Sequence, residues 1–365
     1  MPARGPSVTT GARPSRFATA TAALACLALA ACGDLSVEAP PTITTPLRTL
    51  AAQRGIAIGA ATGSTFQRSD ALGDKLRAIL AREFDMVWSG NFLKFSTLRP
   101  TATSYDFSWA DSMVAFAQTH SMTVRGHTFV WHNQIPAWLT GGTWTPAQVD
   151  SILAGHIATV MAHFKGKIRI WDVVNEAVDD NAQRRTTFWS AALGPGYIER
   201  AFRLARAADS TALLFYNDYN IEGSGAKSDT VYAILADLKS RGVPVDGIGM
   251  QGHFIVGQMP SSTSLLANTA RFAALGLKIE ITELDIRMPV PATSLNLYQQ
   301  SLDYRTIVSA CLQTPACDAV ELSAVYDGDS WVPSTFPGQG AANLFDESFH
   351  PKPAYGAIND LLAGK

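Results

Sequence analysis

Two glutamates stand directly after apolar stretches of the chain, at positions where their carboxyl groups could act together. Glu176 follows the run 168–174 and Asn175, and Glu283 follows the run 278–282. Two carboxyl groups about 5 Å apart can hydrolyse a glycosidic bond with retention of configuration, because one protonates the leaving oxygen while the other attacks the anomeric carbon. These two residues are therefore the candidate catalytic pair.

The two roles require different surroundings for the two carboxyl groups. Asn175 and Trp171 beside Glu176 indicate a less solvated carboxyl, which suits a proton donor. Glu283 belongs to a run that we expect to approach His253, whose ring can donate to a carboxylate and favour its ionised form. This reasoning assigns Glu176 as the acid/base and Glu283 as the nucleophile.

Further polar side chains stand where other apolar runs end, and they widen the candidate site. They are His127, Asn217, Asp218, Gln251, His253 and Asp285. A single residue of this kind is more often a loop residue or a satisfied buried polar group. Together with Asn175 and Glu176 they close five runs in succession, so a site shared by the ends of those runs is the better interpretation.

Eight short apolar runs, separated by loops and amphipathic helical patterns, repeat from about residue 53 onward. The runs are 56–60, 86–88, 123–127, 168–174, 213–216, 245–250, 278–282 and 319–325. Strands alternating with helices indicate a parallel sheet, and eight such units predict a single (β/α)8 TIM barrel of the α/β class over residues 53–365. The alternative is an open doubly wound sheet, but the first run continues into GAATGSTFQ without a nucleotide-binding glycine fingerprint.

The composition excludes several classes of protein. Of 365 residues, 47% are hydrophobic and 16% are charged, which is typical of a folded globular chain and argues against disorder. The 29 basic and 31 acidic residues give a net charge of -2 without a basic tract, so we expect no nucleic-acid partner. We expect a monomer.

The N-terminus has the layout of an export signal. Arg4, Arg13 and Arg16 precede the apolar run 17–31, which is too short and too close to the terminus for a membrane domain. The run ends in LALAAC, and residues 29–32 resemble the lipobox of bacterial lipoproteins, in which the cysteine becomes lipidated. The alternative is an ordinary secretory signal cleaved nearby, and both interpretations export the chain.

Three segments follow from this interpretation. Residues 1–31 are the predicted signal peptide, 32–52 are a Pro/Thr-rich tether, and 53–365 are the barrel. Cys32 is the predicted lipidation site, which would anchor the protein to a membrane on the periplasmic or cell-surface side; without the lipid, the protein would be secreted.

Two cysteines remain within the barrel domain. Cys311 and Cys317 have five residues between them, and an oxidising compartment allows them to form a disulfide. The alternative is two separate thiols, because a short spacing alone does not establish the geometry.

Six ordered segments resemble a known family of enzymes. They are RGHTFVWHNQIPAW (125–138), WDVVNEA (171–177), YNDYNIE (216–222), DGIGMQGHF (246–254), ITELDI (281–286) and LFDESFHPKPAY (344–355). They look like the successive motifs of glycoside hydrolase family 10, the β-1,4-xylanases. The resemblance implies a (β/α)8 barrel, a retaining mechanism without a cofactor, and internal cleavage of xylan or a related plant β-glycan.

The resemblance also implies roles for individual residues. Glu176 corresponds to the acid/base and Glu283 to the nucleophile. Asn175 corresponds to the asparagine that bonds the sugar 2-hydroxyl, and His253 to the histidine that supports the nucleophile. These four residues are the implied catalytic set.

The implied substrate-binding set surrounds them, chiefly on the glycone side. It comprises Asn91, Lys94, His127, Trp131, Gln134, Asn217, Gln251 and Trp331. Asn91 and Lys94 correspond to contacts one sugar further out, and Trp331 to an aromatic side chain that closes the cleft.

The chain departs from the family pattern at three positions. WSGNFLKF at 88–95 has Gly90 in place of a glutamate and Phe95 in place of a tryptophan, and ELSAVYDGDSW at 321–331 has Ser323 in place of a tryptophan. Because the catalytic set is intact, these losses predict an altered glycone specificity. The alternative is a non-catalytic, surface sugar-binding lipoprotein derived from the same barrel.

Other hydrolytic chemistries lack their sequence signals. His127, His132 and His253 could suggest a metal, but the chain contains no HExxH segment. A serine hydrolase would require a GxSxG elbow, which is also missing. We therefore expect neither a metal nor a cofactor.

Overall fold

The computed structural model describes residues 45–365 and contains a closed barrel of parallel strands. Its strands are β1 (Ala57–Ala61), β2 (Met86–Trp88), β3 (Thr123–Val130), β4 (Ile170–Asn175), β5 (Leu213–Asp218), β6 (Gly247–Met250), β7 (His253–Ile255), β8 (Lys278–Pro289), β9 (Cys317–Leu322) and β10 (Gln339–Gly340). Strand β1 pairs with both β2 and β9, and β8 pairs with β9, which closes the ring. The predicted (β/α)8 barrel is confirmed.

Helices lie between the barrel strands and cover them. They are α1 (Leu47–Gln53), α2 (Ala71–Glu83), α3 (Phe95–Leu98), α4 (Ser108–Thr119), α5 (Ala137–Thr140), α6 (Pro146–His163), α7 (Phe188–Leu193), α8 (Tyr197–Ala208), α9 (Ala226–Ser240), α10 (Ser262–Ala273), α11 (Ser294–Gln313), α12 (Val332–Thr335) and α13 (Pro353–Leu362). Within the described residues, none of them is both long and apolar enough to cross a membrane.

Helix α6 illustrates how local sequence sets these elements. Thr145 and Gln148 form a capping box, and Pro146 occupies the first turn, where its missing N–H costs nothing. Val149, Leu153 and other apolar residues at helical spacing are buried along one face. The capping residues therefore determine where α6 begins, and the spacing of its apolar residues determines which face it buries against the barrel.

The folded domain begins earlier than the sequence predicted. Residues 47–52, which the Pro/Thr-rich composition places in the tether, belong to α1, and Leu47, Leu50 and Ala51 are buried. The Leu47 N–H donates to Glu83 (3.0 Å), whose carboxylate also accepts from Tyr355 (2.7 Å). The boundary at residue 53 is therefore wrong, because the i, i+3, i+4 apolar spacing was hidden by the neighbouring Pro/Thr-rich composition. The rest of the predicted tether, the predicted signal peptide and Cys32 lie outside the described residues.

Strand β8 is longer than the run that predicted it. The run ends at Thr282, whereas the strand continues to Pro289 and pairs with β7 and β10 beyond the barrel. Because alternate residues of a strand share a face, Glu283, Asp285 and Arg287 follow one another on one side of this extension. The extension thus carries charged side chains from the barrel mouth outward.

The predicted disulfide is confirmed. Cys311 and Cys317 are bonded and connect the end of α11 to the start of β9.

Candidate active site

A cleft of about 800 Å³ opens where the barrel strands end. Its lining includes Trp88, Gly90, Asn91, Lys94, Trp131, Glu176, Gln251, His253, Glu283, Ser323 and Trp331. The structure therefore brings both candidate glutamates and most of the predicted sugar-binding residues into one cavity at the C-terminal end of the barrel, where active sites of this fold lie.

Glu176 is held by three donors. Its Oε2 accepts from Trp131 Nε1 (2.8 Å), and its Oε1 accepts from Asn175 Nδ2 (3.0 Å) and Gln251 Nε2 (3.0 Å). Its backbone has a positive φ of 57°, a strained conformation for a residue with a side chain. The sequence assigned Trp171 to its surroundings, which is wrong, because Trp171 is buried and stacks on Phe129 instead.

Buried amides connect the two glutamates. Asn217 Nδ2 donates to Glu283 Oε1 (2.8 Å) and to Asn175 Oδ1 (2.9 Å), while Gln251 Nε2 reaches both Asn175 Oδ1 (3.2 Å) and Glu176 Oε1. Asn217 is itself fixed by Thr282 Oγ1, which donates to its Oδ1 (2.7 Å). This network limits the freedom of each carboxylate relative to the other.

His253 lies between two carboxylates on β8. Its Nε2 is 3.5 Å from Glu283 Oε2, and its Nδ1 is 3.1 Å from Asp285 Oδ2. Burial alone would lower the pKa of His253, but these carboxylates raise it to about 10. The ring is therefore a cation at neutral pH.

The electrostatic environment keeps Glu283 ionised. Burial would raise its pKa, but the hydrogen bond from His253 and electrostatic interactions with His127, His253 and Lys94 lower it to about 2. An ionised carboxylate is the form that a nucleophile requires. The predicted influence of His253 on Glu283 thus has a structural basis.

Asp285 is a site residue to which the sequence analysis gave no role. Besides facing His253, its Oδ2 accepts from Trp331 Nε1 (2.7 Å) and from Ser323 Oγ (2.7 Å), and its side chain is fully buried. Its position two residues after Glu283 on the same strand was the signal that could have identified it. Asp285 orients the histidine that supports the candidate nucleophile.

A second buried carboxylate, Asp172, orients His127. His127 Nδ1 is 2.9 Å from Asp172 Oδ2, and Arg125 donates to the same carboxylate from Nε (3.1 Å) and Nη2 (2.6 Å). Arg125 also pairs with Glu280 inside the barrel. Charged residues within apolar strands need buried partners, and that was the available signal for Asp172.

Lys94 and Trp131 form one wall of the cleft. Lys94 Nζ lies 4.6 Å from the centre of the Trp131 ring. Burial lowers the pKa of Lys94, while the negative charges of Glu283 and Glu176 oppose this change. The lysine is therefore within electrostatic range of both candidate catalytic residues.

The remaining predicted residues lie toward the rim or on the opposite wall. Gln134 Nε2 donates to Asn91 Oδ1 (3.0 Å) at an exposed edge. Trp331 packs edge-on against His253 at 4.9 Å. His132, which the sequence suggests only as a possible metal ligand, has its Nδ1 3.7 Å from Glu176 Oε2. Among residues 45–365, no group of three or more potential ligands could hold a metal ion.

The positions that depart from the family pattern separate into two groups. Gly90 and Ser323 line the cleft, and a Cβ at Gly90 would meet no atom within 4 Å. Phe95 is buried instead in the core, stacked on His156 at 3.7 Å, so its inclusion in the glycone wall is wrong. Trp88 also lines the cleft, but its Nε1 is anchored to the Leu322 carbonyl (3.0 Å).

Comparisons with known proteins agree with this arrangement. The model of glycosyl hydrolase family 10 matches residues 46–361. Endo-1,4-beta-xylanase B of Thermotoga neapolitana is 44% identical over 322 residues, covering 88% of this chain and 92% of that protein.

Solved structures of xylanases are also similar to this chain. Xylanase 10B of Thermotoga petrophila RKU-1, in complex with xylobiose, has a TM-score of 0.85 at 43% identity, covering 88% of this chain and 98% of that one. The endo-1,4-beta-xylanase XylE of Penicillium canescens has a TM-score of 0.84 at 34% identity over 88% of this chain and 98% of that one.

The fold, the cleft and these matches define the class of protein: the chain belongs to glycosyl hydrolase family 10. It is a xylanase-like glycoside hydrolase.

Proposed function

We propose that the protein cleaves β-1,4-xylosidic linkages in xylan or xylo-oligosaccharides by double displacement with retention of configuration. The observation that carries this proposal is the pairing of Glu283, which is held ionised by His253, with Glu176 in the same cleft. The names of similar proteins, including the Thermotoga petrophila xylanase bound to xylobiose, support the substrate class.

The first step forms a bond between Glu283 and the sugar. A carboxylate oxygen of Glu283 attacks the anomeric carbon, the bond from that carbon to the leaving oxygen breaks, and Glu176 protonates that oxygen. Asn175, which donates to Glu176 Oε1, also bonds the sugar 2-hydroxyl in this proposal, a contact that strengthens toward the transition state.

The second step releases the sugar. Glu176, now a carboxylate, takes a proton from water, whose oxygen attacks the anomeric carbon as the bond to Glu283 breaks. Glu283 returns to its ionised form and Glu176 to its protonated form. No cofactor is required at either step.

The proposed activity is tested by following the release of reducing ends from xylan. Internal cleavage produces short xylo-oligosaccharides, with the Glu283→Gln variant as the inactive control. Binding of xylo-oligosaccharides without any release of reducing ends would instead support a non-catalytic sugar-binding protein.

The glycone side of the cleft supports a finer proposal on specificity. Gly90 leaves open space where the family pattern has a glutamate, and Ser323 occupies the position of a tryptophan. Loss of an aromatic platform removes stacking worth ~1 kcal/mol, while the added space admits a hydroxymethyl group or a branch. The enzyme therefore favours a decorated or larger glycone more than typical members of its family do.

This specificity is tested by restoring both side chains. The double variant Gly90→Glu with Ser323→Trp is expected to lose roughly tenfold in its kcat/KM ratio for a decorated relative to a linear xylo-oligosaccharide. Phe95→Trp is the matched control, because Phe95 lies in the core. An unchanged ratio in the double variant would show that the two departures do not determine specificity.

We further propose that Cys32 carries lipid and anchors the exported enzyme to a membrane. The lipobox-like segment 29–32 supports this proposal. Each buried methylene of an acyl chain contributes ~0.8 kcal/mol, so that two or more chains retain a protein durably at a membrane.

The anchor is tested by expressing the full chain in a bacterium that processes lipoproteins. Cys32→Ser is expected to move the enzyme from the membrane fraction to the soluble fraction. Cys26→Ser, within the apolar run, is the control and is expected to leave the distribution unchanged. Membrane retention of the Cys32→Ser variant would contradict the proposal.

A further inference from the structure

A second groove adjoins the cleft along the extension of β8. It has a volume of about 620 Å³, and its lining includes residues 223–225 and 258–261. Arg287 lines both the groove and the cleft. A substrate that fills the cleft and places a branch in the groove would therefore pass this side chain.

Arg287 is a cation without a charged partner in the described part of the chain. Within residues 45–365, its guanidinium forms neither an ion pair nor a hydrogen bond, and its Nε is buried without a partner. Burial lowers the pKa of Arg287, and the negative charge of Asp285 opposes this change. Asp285 itself is occupied by His253, Ser323 and Trp331.

The orientation of Arg287 is nevertheless defined. Its guanidinium lies 4.0 Å from the centre of the Phe336 ring, and Phe336 packs against Trp331 at 5.5 Å. This contact holds the guanidinium against the ring, and the two Nη atoms, unlike Nε, are not buried. A planar fork of this kind matches the two oxygens of a carboxylate.

Other charged groups of the cleft wall are already engaged. Asp329 accepts from Ser64 and Thr65 (3.0 and 2.8 Å), and Asp180 lies 3.7 Å from Lys227. Lys94 lies over Trp131 near Glu283 and Glu176 and does not line the groove, so it is not placed to bind a branch there. An anionic group on a substrate would therefore find its free partner at Arg287.

We propose that Arg287 determines specificity by binding the carboxylate of a uronic acid branch on a β-1,4-linked xylose chain. This inference rests on the proposed xylanase activity. Arg287 lies four residues beyond Glu283 on β8, about 13 Å along an extended strand. The carboxylate therefore belongs to a branch or a neighbouring sugar, not to the sugar whose bond is cleaved.

The test measures binding to the inactive Glu283→Gln variant, so that it does not depend on turnover. The ligands are xylotetraose with one glucuronic acid branch, xylotetraose with one neutral arabinose branch, and plain xylotetraose. Calorimetry gives the ratio of affinities for the acidic and the neutral branch. The same ratio is measured in two double variants that also carry Glu283→Gln. Arg287→Met retains an apolar side chain against Phe336, and Arg287→Lys retains the charge but not the planar guanidinium with its paired N–H donors.

We expect the acidic branch to bind ~10- to 100-fold more tightly than the neutral one, because charge-assisted hydrogen bonds to a carboxylate are strong. Arg287→Met brings the ratio close to one, and Arg287→Lys gives an intermediate ratio. The preference also decreases as salt is raised from 0.05 to 0.5 M. Arg54→Met, which removes an exposed charge next to α1, leaves the ratio unchanged.

Two results would overturn the inference. One is a ratio near one before Arg287 is changed; the other is an equal loss of affinity for both branched ligands in Arg287→Met, which would show that Arg287 only supports Phe336. Failure of the unsubstituted enzyme to hydrolyse xylotetraose would reject the proposed function separately, since the binding ratio is measured without turnover.

Discussion

Replacement of Glu283 by glutamine is expected to lower kcat on xylo-oligosaccharides by roughly 10⁵- to 10⁶-fold, the scale seen when a catalytic nucleophile is removed. A neutral amide cannot form the covalent intermediate, and it also removes the negative charge that His253 and Lys94 stabilise. The amide oxygen can still accept from Asn217, so that the fold should be preserved. Initial rates and a thermal unfolding curve measure the two effects independently.

Product stereochemistry provides the second part of this test. In the unsubstituted enzyme, proton NMR of the first product should show the β-anomer, because two successive displacements at one carbon restore its configuration. Glu347→Gln is the control, since Glu347 is exposed and does not line the cleft. An α-anomer as the first product, or a Glu283→Gln variant with substantial activity, would reject the assigned nucleophile.

Replacement of Glu176 by alanine is expected to have an effect that depends on the leaving group. For natural xylo-oligosaccharides, loss of the general acid should reduce kcat/KM by ~10²- to 10⁴-fold. An aryl xyloside with an acidic phenol needs little protonation, so its first step should be nearly retained. Its second step lacks the general base, and the covalent intermediate should therefore accumulate as a burst of phenol.

Two measurements separate the chemistry of Glu176 from its structural contacts. Glu176→Gln keeps an acceptor for Trp131, whose indole N–H is left without its partner in the alanine variant. Both variants should show the burst if the lost function is proton transfer. Equal loss of kcat/KM for natural and aryl substrates, without a burst, would contradict the acid/base assignment.

The sequence by itself determined the architecture and the candidate chemistry. Eight apolar runs predicted the eight barrel strands, because the alternation of strands and amphipathic helices is a local property of the chain. Glu176 and Glu283 could be identified because each stands where an apolar run of the sequence ends, and the ends of these runs meet at one face of a parallel barrel. The disulfide could also be predicted from the sequence, because only a few residues separate Cys311 at the end of α11 from Cys317 at the start of β9.

Long-range contacts decided which side chains form the site. Trp131 reaches Glu176 across 45 positions, and Ser323 and Trp331 meet at Asp285 from 38 and 46 positions away. These partners come from loops whose paths depend on barrel closure, and no periodicity encodes where a loop side chain points. Trp171 is close to Glu176 in sequence, but it lies on β4, where its ring packs on Phe129 in the core.

Tertiary pairing also decided how far the site extends. Strand β8 continues past its apolar run because β7 and β10 supply hydrogen-bond partners beyond the barrel. Their pairing brings Arg287 onto the face that carries Glu283 and Asp285. The sequence alone placed the candidate catalytic carboxylates at the ends of apolar runs. Closure of the barrel and pairing of β8 with β7 and β10 selected the neighbours that set their charge, because such contacts join residues far apart in the chain.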